Sequence, residues 1–188
     1  MVQVRRHEST SYPAHRGHSG FSLIELAVTL VIVSTIAVLS MPNFIEWISN
    51  SRTRASAEAI VSGIRQAQVE AISRNVRVEL VLTNDAPITD TVTPTTSGQN
   101  WVVRTPAPTS SFITGKSAAE GGTGVTVLAS QAAIPFNGLG RIATGAANIS
   151  INVTPPSGGT RPLRIVVALG GGVRICDPAL SLTDVRAC

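Results

Sequence analysis

The first long pattern in the chain is an apolar run from Phe21 to Met41, in which Glu25 is the single formal charge. As an α-helix this run would be about 31 Å long, which is enough to cross the hydrocarbon core of a bilayer. Insertion of a carboxylate into the membrane costs free energy. A helix that serves only as an anchor would have no use for Glu25. The run therefore predicts a membrane-spanning helix with an additional role.

The helical period continues beyond the apolar run, but the pattern becomes amphipathic. Apolar residues recur every three or four positions, and arginines and glutamates occupy the opposite face. We therefore expect one helix from about Ser22 to about Asn75, whose second half packs on a sheet. The apolar stripe consists of Phe44, Trp47, Ile48, Ala57, Ile60, Ile64, Ala67 and Ala71.

After Asn75 the pattern changes towards the alternation that is typical of β-strands. Residues 83–100 are rich in Asp, Pro, Thr and Gly and predict a mobile loop. Residues 106–111 and 115–124 predict turns, and the glycines at 170–172 predict a bend. The predicted strands lie at residues 76–82, 101–105, 124–129, 134–136, 149–154 and 163–168.

A secretory signal peptide is disfavoured, because the small residue Gly20 precedes the apolar core instead of following it. The segment Gly20-Phe21-Ser22-Leu23-Ile24-Glu25-Leu26 resembles the class III signal of type IV pilins and type II secretion pseudopilins. The resemblance implies that a prepilin peptidase cleaves between Gly20 and Phe21 and that the new Phe21 amine is methylated. It also implies that Glu25 pairs with this amine on a neighbouring subunit during assembly. Pro42 matches a helix-kinking proline of the family.

The resemblance implies an α+β fold, the pilin lollipop, in which a long N-terminal helix packs on a C-terminal antiparallel β-sheet domain. It divides the chain into a cleaved leader (1–20), a transmembrane and filament-core helix (21–42), an amphipathic helix (43–76) and a globular domain (77–188). Arginines outnumber acidic residues three to one in residues 1–20, which favours a cytoplasmic leader and a periplasmic globular domain. The implied protein is a single-pass inner-membrane protein. Its implied partners are other pilins or pseudopilins, the prepilin peptidase and the inner-membrane assembly platform.

A second segment is similar to the I-x-F-x-x-x-G signature of GspH/FimT-type minor pseudopilins. This segment runs from Ile134 to Arg141, and the chain ending from Leu163 to Pro178 also resembles that group. The resemblance implies a minor pilin or pseudopilin that initiates or joins a type IV pilus or a type II secretion pseudopilus.

Some FimT-like proteins bind DNA for natural transformation through a G-R-x-R motif. The corresponding residues here are Gly171-Gly172-Val173-Arg174, so the first arginine is missing. DNA uptake is therefore the alternative function, with Arg164, Arg174 and Arg186 as candidate DNA-binding residues. The simpler interpretation is that these arginines are solvated side chains of a structural subunit.

Composition argues against an enzyme. All three histidines, His7, His15 and His18, lie in the leader, so the mature chain has no imidazole for a catalytic triad or a metal site. We expect no cofactor and no metal. Removal of the leader would lower the formal charge from +4 to +2, which is not by itself a nucleic-acid signature.

The two cysteines, Cys176 and Cys188, both lie near the carboxyl end. An outward-facing domain is in an oxidising compartment, so we expect a disulfide bond between them. In the chain-entropy model such a short loop gives about 3 kcal/mol of stability. Free thiols are the alternative.

Overall fold

A single long helix opens the fold. The computed structural model describes residues 22–120, 123–145 and 147–188. Helix α1 extends from Leu23 to Arg74, within one residue of the predicted bounds at each end. The chain forms two compact units, which divide between Ser40 and Met41. In the second unit, Asn75 adopts a positive φ of 50°, a conformation that ends helices and that asparagine tolerates.

Among the residues that the structure describes, eight strands follow the helix in two four-stranded sheets. The first sheet has the order β3-β2-β1-β5 and the second has the order β4-β6-β7-β8. Every neighbouring pair is antiparallel, so the α+β class with antiparallel sheets is confirmed. The strands are β1 (Val78–Thr83), β2 (Asn100–Arg104), β3 (Phe112–Lys116), β4 (Thr126–Ala129), β5 (Ala133–Phe136), β6 (Ile149–Thr154), β7 (Leu163–Val167) and β8 (Val173–Cys176).

The second half of α1 packs on the sheets, as the apolar stripe predicts. Its residues from Ala57 to Ala71 that belong to the stripe are all buried in one core with side chains from both sheets. Gly63 allows this packing, because a Cβ at that position would be 2.8 Å from the Trp101 ring. The beginning of the stripe differs, since Phe44 and Trp47 are exposed and stack on each other with ring centroids 6.0 Å apart.

Two strands were not predicted, and both lie at sheet edges. Strand β3 includes Gly115 and Lys116, so the prediction that a turn begins at Gly115 is wrong. Strand β8 has only four residues and follows the glycines at 170–172, which form the turn between β7 and β8. In β3 no residue is buried, and in β8 only Cys176 is, so neither strand shows the alternation of inner and outer residues that predicts a strand.

The loop between β1 and β2 covers the outer face of the first sheet. Val92 of this loop is buried in a small cluster with Val81 and Val102. The Arg104 guanidinium of β2 donates hydrogen bonds to the backbone carbonyls of Asp90 (2.6 Å) and Val92 (3.3 Å). The loop is therefore a packed layer of the domain.

Candidate functional site

The first unit presents an apolar helix surface. All residues from Leu23 to Ser40 are exposed, and the helix is long and apolar enough to cross a membrane. Its hydroxyl groups bond back to their own helix, as Thr35 does to the Val31 carbonyl at 2.8 Å and Ser40 to the Ile36 carbonyl at 2.9 Å. These groups are satisfied internally, so the surface suits lipid or another apolar helix.

Glu25 and Pro42 are the two exceptional residues of α1. Glu25 lies in the first turn, where the helix dipole favours a negative charge. Pro42 lies inside the helix, which continues through it although proline supplies no N–H to the Val38 carbonyl. Gly20 and Phe21 lie outside the described residues. Cleavage and methylation at these two residues therefore stay predictions. The pairing of Glu25 with a neighbouring subunit and the kink at Pro42 also stay predictions.

In the second unit, the loop between β6 and β7 is attached to the helix just after Pro42. The Asn50 side-chain oxygen accepts hydrogen bonds from the backbone N–H of Thr160 (3.0 Å) and of the next residue (3.1 Å). The Thr160 hydroxyl donates to the Glu46 carboxylate at 2.6 Å, and the Ser49 hydroxyl donates to a loop carbonyl at 3.2 Å. Hydrogen bonds to one turn of the helix thus fix the loop that connects β6 and β7 of the second sheet.

The signature segment 134–141 forms a junction between the helix and both sheets. The Gln68 amide donates to the carbonyl of Gly140, after β5, at 2.7 Å and to that of Gly171, after β7, at 3.3 Å. Both glycines have positive φ values, 73° and 91°. A Cβ on Gly171 would overlap the Gly140 carbonyl oxygen. The glycines are therefore explained by the close approach of two backbones.

Two of the three candidate DNA-binding arginines lie on adjacent strands, offset diagonally by two residues. Arg164 on β7 is opposite Cys176, and Arg174 on β8 is opposite Val166. The residues on either side of Val166 are buried, so both arginines extend from the outer face of the second sheet. The Arg164 guanidinium donates to the Asn152 side chain at 2.7 Å, and Arg174 donates to the main-chain oxygen of Cys188 at 3.3 Å.

The third candidate, Arg186, lies in a loop closed by the disulfide bond between Cys176 and Cys188. Its guanidinium contacts the Asp184 carboxylate at 2.8 Å and 3.1 Å. These hydrogen bonds, together with the backbone N–H of Arg186, lower the pKa of Asp184 from 3.8 to about 2. Asp184 thus compensates the Arg186 charge, which weakens this arginine as a phosphate ligand.

Within the described residues, no three His, Cys, Asp or Glu side chains are placed to hold a metal ion together.

The family model of the type II transport protein GspH matches residues 56–171, more than half of the chain. The chain belongs to the GspH family. A model of the prokaryotic N-terminal methylation motif also matches residues 15–41. This GspH-family chain is therefore a minor pilin or pseudopilin of a type IV pilus or a type II secretion system, and its family is one of structural pilins.

Solved structures of two kinds of pilin-like protein are similar to the GspH-family chain. The type IV minor pilin FimU of Pseudomonas aeruginosa in space group P21 has a TM-score of 0.52 and 12% identity, covering 66% of this chain and 88% of FimU. FimU in space group P65 has a TM-score of 0.50 and 12% identity, and the match covers 65% of this chain and 90% of FimU. The minor pseudopilin EpsH of the Vibrio cholerae type 2 secretion system has a TM-score of 0.47 and 10% identity, and the match covers 69% of this chain and 99% of EpsH. No curated protein matches the chain. At 12% identity, the likeness to FimU shows a common fold only.

Sequence reasoning missed the polar helix residues that join the parts of this GspH-family domain. Gln68, Asn50 and Glu46 look like ordinary solvent-facing residues in the helical pattern, yet each binds a loop from a distant part of the chain. The available signal was the glycine content of the partner loops, because close backbone approach requires glycine.

Proposed function

We propose that the GspH-family chain is a structural subunit that enters a pilus or pseudopilus through its apolar helix. The observation that supports this is the exposed surface from Leu23 to Met41, which carries a single carboxylate. A surface of this size is unfavourable in water, so it requires lipid before assembly and other apolar helices afterwards. A prepilin peptidase would first remove residues 1–20, and the domain after Met41 would face the periplasm.

Glu25 supplies the proposed register of assembly. An unpaired carboxylate is costly in an apolar environment, and a positive charge at short distance offsets that cost. After cleavage between Gly20 and Phe21, the methylated amine of Phe21 on a neighbouring subunit would supply the charge. The inner-membrane assembly platform would be the place where the pair forms.

The test compares Glu25→Gln with Thr35→Ala, whose hydroxyl contacts only its own helix. We expect both variants to insert into the membrane, while the Glu25→Gln fraction in sheared filaments falls about tenfold or more because a buried amine is left unpaired. Intact mass of the wild type should show a chain that begins at N-methyl-Phe21. Equal filament fractions for the two variants would refute the role of Glu25. A wild-type chain that keeps Met1 in cells with the peptidase would refute the proposal as a whole.

DNA binding is a second candidate, favoured by one observation. Arg164 and Arg174 share the outer face of a sheet whose four strands contain no Asp or Glu. Isolated arginines on a flat sheet would contact phosphates, so we expect binding without sequence preference and a Kd of about 10⁻⁴–10⁻⁶ M.

A mobility-shift titration of the full chain in micelles at two salt concentrations tests this candidate. Arg164→Gln and Arg174→Gln should each change the log–log salt slope by about 0.9, while the exposed Arg52→Gln should not. Gly172→Arg should tighten binding, because it adds a positive charge that can contact a phosphate. The substitution should fit, since a Cβ at that position meets no atom within 4 Å. No shift at high micromolar protein in low salt would exclude DNA binding.

A further inference from the structure

An apolar patch lies at the C-terminal end of α1. Val69 and Ile72 occupy one helix face, Val76 follows the helix end, and each is about half exposed. Leu139 is 78% exposed on the turn after β5. The turn touches the helix, since a Cβ on Gly140 would be 2.7 Å from Ile72 Cδ1. We refer to Val69, Ile72, Val76 and Leu139 as the helix-end patch.

Three exposed arginines lie close along the chain to residues of the helix-end patch. Arg65 is one turn before Val69 on the same helix face, Arg77 follows Val76, and Arg141 is two residues after Leu139. None of the three has a side-chain hydrogen bond or ion pair to any residue that the structure describes. The nearby Glu70 is already bound to Arg74 at 2.7 Å. The positive charge next to the patch is therefore not compensated by a carboxylate of the described residues.

The turn that presents Leu139 is held in place. The Asn137 side-chain oxygen accepts hydrogen bonds from the backbone N–H of Leu139 (3.0 Å) and of Arg141 (3.1 Å). The Gly140 N–H donates to the Asn137 carbonyl at 2.8 Å, and Gln68 binds the Gly140 carbonyl at 2.7 Å. A fixed turn loses little conformational entropy on binding, so an exposed leucine there is suited to act as an anchor.

We propose that the helix-end patch docks an apolar segment flanked by carboxylates on a neighbouring subunit of the same filament. Exposed apolar patches with arginine at the rim are typical of protein interfaces, whereas phosphates would gain nothing from the apolar centre. Two such patches cannot face each other in a symmetric dimer, because their rims carry like charges. The partner therefore presents a different surface, as head-to-tail contacts in filaments do. This inference rests on the proposed function.

The first test places a photo-cross-linking amino acid at position 139 or at position 128 of the full chain in filament-forming cells. Leu128 is the matched control, because it is an exposed leucine of the other sheet that lies opposite Asn152. We expect a cross-link from position 139 to another pilin or pseudopilin, within a segment that contains carboxylates. Equal cross-linking from both positions, or a partner segment without carboxylates, would overturn the proposal.

The second test measures the filament fraction of Leu139→Glu and Arg141→Glu against Leu128→Glu. We expect the first two to fall about tenfold, the loss that an interface anchor gives, and the third to remain at the wild-type level. Normal filament entry of Leu139→Glu would overturn the docking surface and leave the proposed function standing. Absence of the wild type from filaments would overturn both.

Discussion

The ion pair between Glu79 and Arg104 should stabilise the first sheet and the loop that covers it. The Arg104 Nε and Glu79 Oε1 atoms are 2.9 Å apart, and only 12% and 13% of the two side chains are exposed. The same guanidinium donates to the carbonyls of Asp90 and Val92. Replacement of Arg104 by methionine would therefore leave a nearly buried carboxylate without a partner and release the loop.

The expected cost of Arg104→Met is about 3 kcal/mol, the lower end of the range for breaking a buried pair, because some solvent reaches both groups. For a chain of this size that cost lowers Tm by about 6–12 °C. Glu79→Met should cost about 2 kcal/mol, since Arg104 keeps its two carbonyl acceptors. In the double variant Glu79→Met/Arg104→Met no charge is left buried, so we expect a loss of only about 1–2 kcal/mol.

The assay is urea unfolding of the full chain in detergent micelles, followed by the fluorescence of the buried Trp101 on β2. A coupling free energy of about 3–4 kcal/mol between the two sites should emerge from the double-mutant cycle. A cost below about 1 kcal/mol for Arg104→Met, or additive single variants, would refute the argument that burial makes this pair costly to break.

Two further predictions concern the junction glycine and the disulfide loop. Gly171→Ala should lower the free energy of unfolding by about 2 kcal/mol or more. The control Gly170→Ala should change it by less than about 0.5 kcal/mol, because its Cβ would meet no atom within 4 Å. Similar losses for both variants would contradict the close approach of the two backbones. The pKa of Asp184 should be about 2 by NMR titration and return towards 3.8 in Arg186→Gln. Because the folded pKa is depressed, the pair stabilises the loop above about pH 4, and this contribution disappears as the pH falls towards 2; an unchanged pKa in Arg186→Gln would contradict the assignment.

The parts of the fold that depend on local pattern could be predicted from the sequence. The bounds of α1 follow from helical periodicity, and β6 (Ile149–Thr154) was predicted at its observed bounds because its inner residues alternate with outer ones. The division into two sheets could not be predicted, because strand pairing depends on contacts between distant segments. For the same reason, Arg104 gave no sign in the sequence that it binds Glu79, 25 residues away.

The candidate site was predictable where it rests on a motif and not where it rests on tertiary contact. Glu25 and Pro42 are exceptional within an apolar run, so the sequence alone draws attention to them. Gln68 and Gly171 are 103 residues apart, and neither is exceptional in its own segment. Leu139 belongs to the signature segment, but its exposure becomes visible only when the turn after β5 is placed against the helix.

The two sheets are interleaved along the chain. Strand β4 (Thr126–Ala129) belongs to the second sheet, and β5 (Ala133–Phe136), which follows after a three-residue connection, belongs to the first. During synthesis, the meander from β1 to β3 can therefore pair early, yet one edge of β1 stays open until β5 has emerged. By then β4 is also present without its partner β6. The first sheet therefore cannot be completed before β4 is exposed without its partner, and a chain cut after Phe136 would complete the first sheet while leaving β4 as an aggregation-prone single strand.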